Sequence, residues 1–383
     1  MKNSFYLVNG RLAVQGEAVG ASLTVEEGVV TAVGGENRKH LPVADAAGAL
    51  VLPGFLDLHT HGGAGVDVNA ADAGGLRKIA RFFASQGVTG WLCSILTDTE
   101  EQTLRAIAAA RAVIETGSGG AALLGIHLEG PCLSSEYKGA MPEELLMHTA
   151  DPDFFRRCQT AAGGHVKYVT LAPEIPGALE LIPALRKMGI TVAMGHSAAG
   201  YDVSRAAVAA GVTAATHLGN AERLFHQHDP AIWGVALETD CYVEAICDGL
   251  HLHPGTVRLY LKAAGWDRVV AITDSIMAAG LPDGQYKLGV NDVTVVDGDA
   301  KLTDTGVRAG STLTLIRALR NLTKFTGKSP EQAALLMTEN PARLMGWGKK
   351  GRIAPGMDAD LVLVDEQLDV VETIVAGERV FHR

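Results

Sequence analysis

A chain of 383 residues, 47% hydrophobic and 20% charged, carries enough apolar surface for a large core and does not have the composition of a disordered protein. Its formal net charge of −10 argues against a nucleic-acid backbone as partner. No apolar run reaches membrane-spanning length, so no membrane association is expected. The five cysteines (Cys93, Cys132, Cys158, Cys241 and Cys247) form no Cys-x-x-Cys, and Met1 to Phe5 opens without a signal-peptide apolar region. Both features predict reduced thiols and a cytoplasmic protein.

In chain order, the first fifty residues alternate short apolar runs with turns: Phe5 to Val8, Leu12 to Val14, Leu23 to Val25 and Val29 to Val33. This predicts a small antiparallel sheet. The other end reads alike at Leu361 to Val364, Val370-Val371, Thr373 to Val375 and Arg379 to Phe381, so the two ends are expected to meet in one module. Between them, apolar strands are predicted at Leu50 to Leu58, Val88 to Ile95, Ala122 to Leu128, Val166 to Ala172, Ile190 to Met194, Val212 to Ala215, Val243 to Cys247 and Val269 to Ile272. Helical patterns such as Leu76 to Ser85, Glu101 to Glu115, Ala178 to Met188 and Val203 to Ala210 separate them. Eight strands alternating with helices predict an α/β fold, a (β/α)8 TIM barrel, rather than a doubly wound open sheet. Two long connections, Gly219 to Gly234 and the Gly- and Asp-rich Ala278 to Thr305, are expected at the barrel mouth, where long loops bind substrate.

Chemistry concentrates where strands end. His59 and His61 follow an apolar run one residue apart, so an extended backbone points both to the same side. Glu129 ends the third run before Gly130-Pro131, with His127 on the same face one layer deeper, as a packed or supporting histidine. His196, His217, His251 and Asp274 follow the fifth, sixth, seventh and eighth runs. A barrel gathers all these ends at one mouth. Imidazole and carboxylate ligands suit Zn²⁺ or Fe²⁺, and such a cation lowers the pKa of bound water to about 7 while polarising a carbonyl. Asp274 is the expected catalytic proton carrier.

These residues resemble the amidohydrolase superfamily, through Pro53-Gly-Phe-Leu-Asp-Leu-His-Thr-His61, His127-Leu-Glu-Gly-Pro131, Gly195-His-Ser197, Ala215-Thr-His-Leu218, Asp248-Gly-Leu-His251, Thr273-Asp-Ser275, Ala309-Gly-Ser-Thr-Leu-Thr314 and Asn340-Pro-Ala-Arg343. The resemblance implies a β-sandwich from residues 1–52 and 352–383 beside a barrel over 53–351, and a homodimer. It implies two divalent metals, one on His59, His61, Glu129 and Asp274, the other on Glu129, His196 and His217. The implied substrate is a small acylated amino sugar, N-acetylglucosamine 6-phosphate or a close relative, losing its acetyl group. A divergent reading is a different N-acyl or cyclic amide lacking the 6-phosphate.

The resemblance also implies substrate contacts at Met141, Asn220, Ala221, His228, His251, Ala309, Gly310 and Ser311. Two of these depart from the family pattern. Met141 stands where relatives commonly carry a histidine that polarises the acetyl carbonyl, and His228 stands where they carry an arginine that reaches the 6-phosphate, often across the dimer. Imidazole neither grips phosphate bidentately nor stays charged at pH 7. Arg223 and Arg308 are the candidates to compensate for the missing phosphate contact, although each reads first as an ordinary solvated side chain.

Overall fold

The computed structural model describes residues 3–383. One parallel sheet runs in chain order through β1 (Phe55–Asp57), β2 (Val88–Leu96), β3 (Ala122–Glu129), β4 (Val166–Leu171), β5 (Thr191–Met194), β6 (Ala214–Ala215), β7 (Tyr242–Ile246) and β8 (Val269–Ile272). A helix follows each strand: α1 (Ala73–Ser85), α2 (Glu100–Thr116), α3 (Pro152–Ala161), α4 (Ala178–Lys187), α5 (Tyr201–Ala210), α6 (Ala231–Glu238), α7 (Pro254–Ala263) and α8 (Leu315–Thr326). This is a (β/α)8 barrel. The sheet is closed just beyond the ends of β1 and β8, where Thr60 bridges Ser275 in parallel. There His61 N donates to Ser275 O at 2.7 Å and Asp274 N to His59 O at 2.9 Å. The barrel seam therefore runs through residues predicted to bind metal.

The elements follow from local sequence. Every residue of β2 is buried, as expected for a strand with side chains in the barrel on one face and under helices on the other. Helix α1 starts where the Asp72 carboxylate accepts from Gly75 N at 2.7 Å, and it buries Leu76, Ile79, Ala80 and Phe83 at helical spacing. Helix α2 is capped by Thr99 in the same way.

The run Leu50 to Leu58, expected as one strand, is two. Leu50–Pro53 pairs with Arg11–Val14 and Leu361–Val364 in a terminal six-stranded sheet, and only Phe55–Asp57 enters the barrel. Both halves are apolar because both are buried, so hydropathy cannot separate them. The break is at Gly54, where a Cβ would lie 2.2 Å from the Thr89 side chain; only glycine lets the two segments pass so closely. A four-stranded sheet of N-terminal strands packs on the six-stranded one through Leu7, Leu23, Val25, Val51, Leu361 and Leu363, so the chain's two ends share one core.

The segment after β8 forms a three-stranded antiparallel sheet, Gly284–Leu288, Asn291–Val296 and Asp299–Leu302. Leu288, Val293 and Val295 pack with Leu96, Leu133, Met141 and Ile276, which anchors this excursion beside the ends of the barrel strands. All five cysteines are buried and unpaired, and among the described residues no helix is long and apolar enough to cross a membrane.

Candidate active site

His59, His196, His217 and Asp274 each sit two residues beyond the end of β1, β5, β6 and β8, and Glu129 is the last residue of β3. His196, His217 and Asp274 have φ of 49°, 28° and 49°, a left-handed region that non-glycine residues seldom occupy. Such strain persists where surrounding structure holds it, and it clusters at functional sites. Glu129 is followed by Gly130 at φ 89°, where a Cβ would lie 2.3 Å from Thr97 Oγ1. A side chain at that position would displace the turn that presents Glu129.

The carboxylate of Glu129 is the hub. His59, His196 and His217 bring Nε2 to 3.2, 3.2 and 3.1 Å of its Oε1, and His61 Nε2 lies 3.2 Å from Oε2. Asp274 Oδ1 is 3.2 Å from His61 Nε2 and 3.7 Å from His59 Nε2. All six side chains are essentially buried.

The donor set itself tests whether a cation fits. His59 Nδ1 faces Glu244 Oε2 at 3.3 Å, His61 Nδ1 faces the Ser94 carbonyl at 3.0 Å, and His196 Nδ1 faces the Tyr137 carbonyl at 2.8 Å. Each partner is an acceptor, so each Nδ1 carries the proton and each Nε2 turns a lone pair inward. Yet Nε2 of His59 meets that of His61 at 3.1 Å, and Nε2 of His196 meets that of His217 at 3.1 Å. The facing lone pairs of His59 and His61 require positive charge between them. The separations also match the ~3.3 Å edge of a tetrahedron built on ~2.0 Å metal–nitrogen bonds. His59, Glu129 and His217 form one such cluster, and His59, His61 and Asp274 another.

The ionisation equilibria carry the same message. Burial works against charge on His61, but its bonds to Asp274 and Glu129 prevail and lift it to about 9. His59 likewise rises well above its usual value despite burial, through Glu129 and Glu244. Burial opposes charge on Glu129 too, and the imidazoles hold it well below the ordinary carboxylate range. With metal stripped by a chelator, the His61 contribution to stability is full below about 6.5 and is lost as pH rises through about 9. The stripped protein should therefore lose resistance to urea from pH 6.5 to 9. Metal uptake should release protons and tighten across the same window. Calorimetry in buffers of differing ionisation enthalpy reads that release; uptake without proton release would contradict it.

The amidohydrolase family profile matches residues 50–380. The chain belongs to the amidohydrolase family. Among curated relatives, an N-acetylglucosamine-6-phosphate deacetylase of Bacillus subtilis (strain 168) is 37% identical over 365 residues, 93% of this chain and 92% of that protein. An N-acetylgalactosamine-6-phosphate deacetylase of Escherichia coli O157:H7 is 35% identical over 363 residues, 93% of each. Among solved structures, N-acetyl-D-glucosamine-6-phosphate deacetylase of Mycobacterium smegmatis, a mutant in complex with N-acetyl-D-glucosamine-6-phosphate, superposes with a TM-score of 0.92. It is 33% identical and covers 98% of this chain and 99% of that one.

In this amidohydrolase His61, Glu129, His196, His217 and Asp274 line a cavity of roughly 300 Å³. Met141, Asn220, Ala221, His251, Ala309 and Gly310 all line it, as the sequence led one to expect. Two expected contacts do not. His228 is exposed on the loop after β6, its ring 5.2 Å from that of His226, and does not reach the cavity of its own chain. Ser311 is buried, its hydroxyl donating to the Thr273 carbonyl and its N–H to Asp274 O at 2.7 Å; it braces the backbone of Asp274. His127 is also a support: Ser94 Oγ at 2.8 Å and Thr170 Oγ1 at 2.9 Å occupy its two nitrogens, and burial holds it neutral, well below its usual pKa.

Sequence reading missed the residues that orient the candidate ligands. Glu244, wholly buried in β7, faces His59 Nδ1, accepts from His217 N at 3.2 Å and takes the Tyr168 hydroxyl at 2.7 Å. A carboxylate inside an apolar strand was its one available signal. Asp57 accepts from Thr273 Oγ1 at 2.6 Å, tying β1 to β8, and burial lifts it to about 6. Asp248 Oδ2 holds His251 Nδ1 at 2.6 Å, which turns the other ring nitrogen free for substrate. Glu222, also buried, accepts from Gly219 N and Trp233 Nε1 and so shapes the turn carrying Asn220 and Ala221.

Proposed function

We propose that this chain removes the acetyl group of N-acetylglucosamine 6-phosphate, giving acetate and glucosamine 6-phosphate. The observation that carries the reading is the Glu129 carboxylate ringed by four Nε2 atoms at the floor of the cavity. The near full-length similarity to deacetylases of phosphorylated N-acetyl amino sugars supplies the substrate class.

His59, His61, Glu129 and Asp274 would hold one divalent ion, and Glu129, His196 and His217 a second, each Zn²⁺ or Fe²⁺. When bound, such ions polarise the scissile carbonyl and acidify the attacking water. The protein's own groups do the remaining work. Burial opposes charge on Asp274, but its contacts with His61 and His59 hold its pKa below the ordinary carboxylate value, so it is ionised at neutral pH. An ionised Asp274 accepts the water proton at its carboxylate and returns it to the leaving nitrogen. His251, fixed by Asp248, and the Asn220-Ala221 turn orient the sugar. Met141 shapes the acyl end by packing, because a thioether donates no hydrogen bond. Of the terminal segments 1–52 and 352–383, the described residues 3–52 and 352–383 form a β-sandwich beside the barrel of 53–351, the enzyme is a homodimer, and its reduced, buried thiols suit the cytoplasm.

The test is acetate release from N-acetylglucosamine 6-phosphate and from its galacto isomer, with Zn²⁺ or Fe²⁺ supplied. Turnover is expected on the gluco compound. No acetate from either sugar, with metal bound, would overturn the reading.

A further inference from the structure

Arg308 is exposed, as expected of a solvated side chain, but its surroundings in the structure are more specific than that. Arg308 lines the cavity beside Val307, Ala309 and Gly310, and among the described residues it is the only lysine or arginine that does so. Its guanidinium is fixed on three sides. Nε and Nη2 fork onto Asp299 Oδ1 and Oδ2 at 2.7 and 2.9 Å, and Nη1 donates to the Leu250 carbonyl at 3.2 Å. Asp299 belongs to the sheet inserted after β8, whereas Leu250 precedes His251 on the loop after β7. The arginine is thus pinned between the two walls of the mouth.

The pinning leaves a usable binding surface. Three of the five guanidinium N–H groups are engaged, so one N–H remains on each terminal nitrogen. Paired N–H groups of this kind grip a phosphate bidentately. Asp299 does not cancel the charge, because Lys301 Nζ also reaches its Oδ2, at 3.0 Å; two cations share one carboxylate. The nearby Asp248 is itself taken by His251. The chain also fixes how far Arg308 stands from the chemistry. Ser311 N is bonded to Asp274 O, and three residues of extended chain span at most about 10 Å. A sugar whose C2 amide lies at Asp274 carries its 6-substituent on the far side of the ring, away from the metal cluster. Among the described residues of this chain no other lysine or arginine lines the cavity: Arg223 is exposed and paired with Asp229 at 3.1 Å, and His228 lies outside the cavity of its own chain.

We infer that Arg308, held by Asp299, is the specificity-determining residue that receives the anionic end of the substrate in this chain. The inference rests on the proposed deacetylation only for the identity of the sugar, and the test separates the two.

The metal-loaded enzyme and its Arg308→Leu and Arg308→Gln variants are compared on N-acetylglucosamine 6-phosphate and on unphosphorylated N-acetylglucosamine. Binding of glucose 6-phosphate, which has no amide, is measured alongside by calorimetry. Both variants should raise KM for the phosphorylated sugar by about 10- to 100-fold with kcat changed less than threefold. The preference for phosphorylated over plain sugar should collapse by the same factor, and glucose 6-phosphate should bind at least tenfold more weakly. Thermal melting and metal content identify a variant that has failed to fold, and the Gln variant, which keeps the polar stem, guards against that outcome. Wild-type affinity for glucose 6-phosphate retained by a folded variant would overturn the inference. If wild-type enzyme releases no acetate but its glucose 6-phosphate affinity depends on Arg308, the deacetylase reading fails and this one stands.

Discussion

Asp274→Asn is expected to lower kcat by about a thousandfold while KM and bound metal stay near their wild-type values. Positioned proton transfer contributes roughly 10²- to 10⁴-fold, and an amide can neither accept the water proton nor return it. The substitution keeps the shape and one oxygen for the contacts with His61 and His59. The backbone that sets the side chain, Asp274 N to His59 O and Ser311 N to Asp274 O, is untouched. Acetate-release kinetics together with metal analysis read both halves of the prediction. Unchanged turnover would remove Asp274 as proton carrier, and loss of metal in parallel with turnover would make it chiefly a ligand.

Glu129→Ala is expected to fail differently, with loss of metal and of activity together. Four imidazoles converge on this carboxylate, and it is the one group in contact with all of them. Without it the buried rings face one another with only Asp274 and Glu244 as counter-charges. Removing one partner of a buried ionic cluster costs about 3–5 kcal/mol. The variant should therefore emerge from gel filtration with substoichiometric metal, show no measurable acetate release, and unfold at lower urea than wild type stripped with chelator. Full metal content in the variant would contradict the role of Glu129 as the shared ligand.

The side chains that converge on Glu129 were legible in the sequence because they sit at strand ends, where an apolar run stops abruptly at His or Asp. The two-residue period of an extended chain alone put His59 and His61 on one side. The barrel was legible because its eight strands and helices repeat with one beat. What escaped notice depends on contacts between segments far apart in the chain. Glu244 lies in an apolar strand, and nothing local distinguishes a carboxylate that steers His59 and His217 from one that merely ends a ladder. Leu50–Pro53 is as apolar as Phe55–Asp57, yet the two belong to different sheets, and only the clash with Thr89 at Gly54 tells why. Arg308 is exposed, but its anchoring escaped notice because its partners, Asp299 and the Leu250 carbonyl, reach it only through the folded sheet beyond β8 and the loop after β7. His228 was placed by its spacing from His217, whereas the loop carries it outward to solvent. The left-handed backbone of His196, His217 and Asp274 is likewise imposed by the barrel rather than by residue preference.

Anomalous diffraction at the metal absorption edge, on crystals of the metal-loaded enzyme, tests the central claim most directly. The account predicts two peaks flanking the Glu129 carboxylate, one beside His59 and His61 and the other beside His196 and His217. Absence of any peak within bonding distance of Glu129 in catalytically active crystals would contradict it.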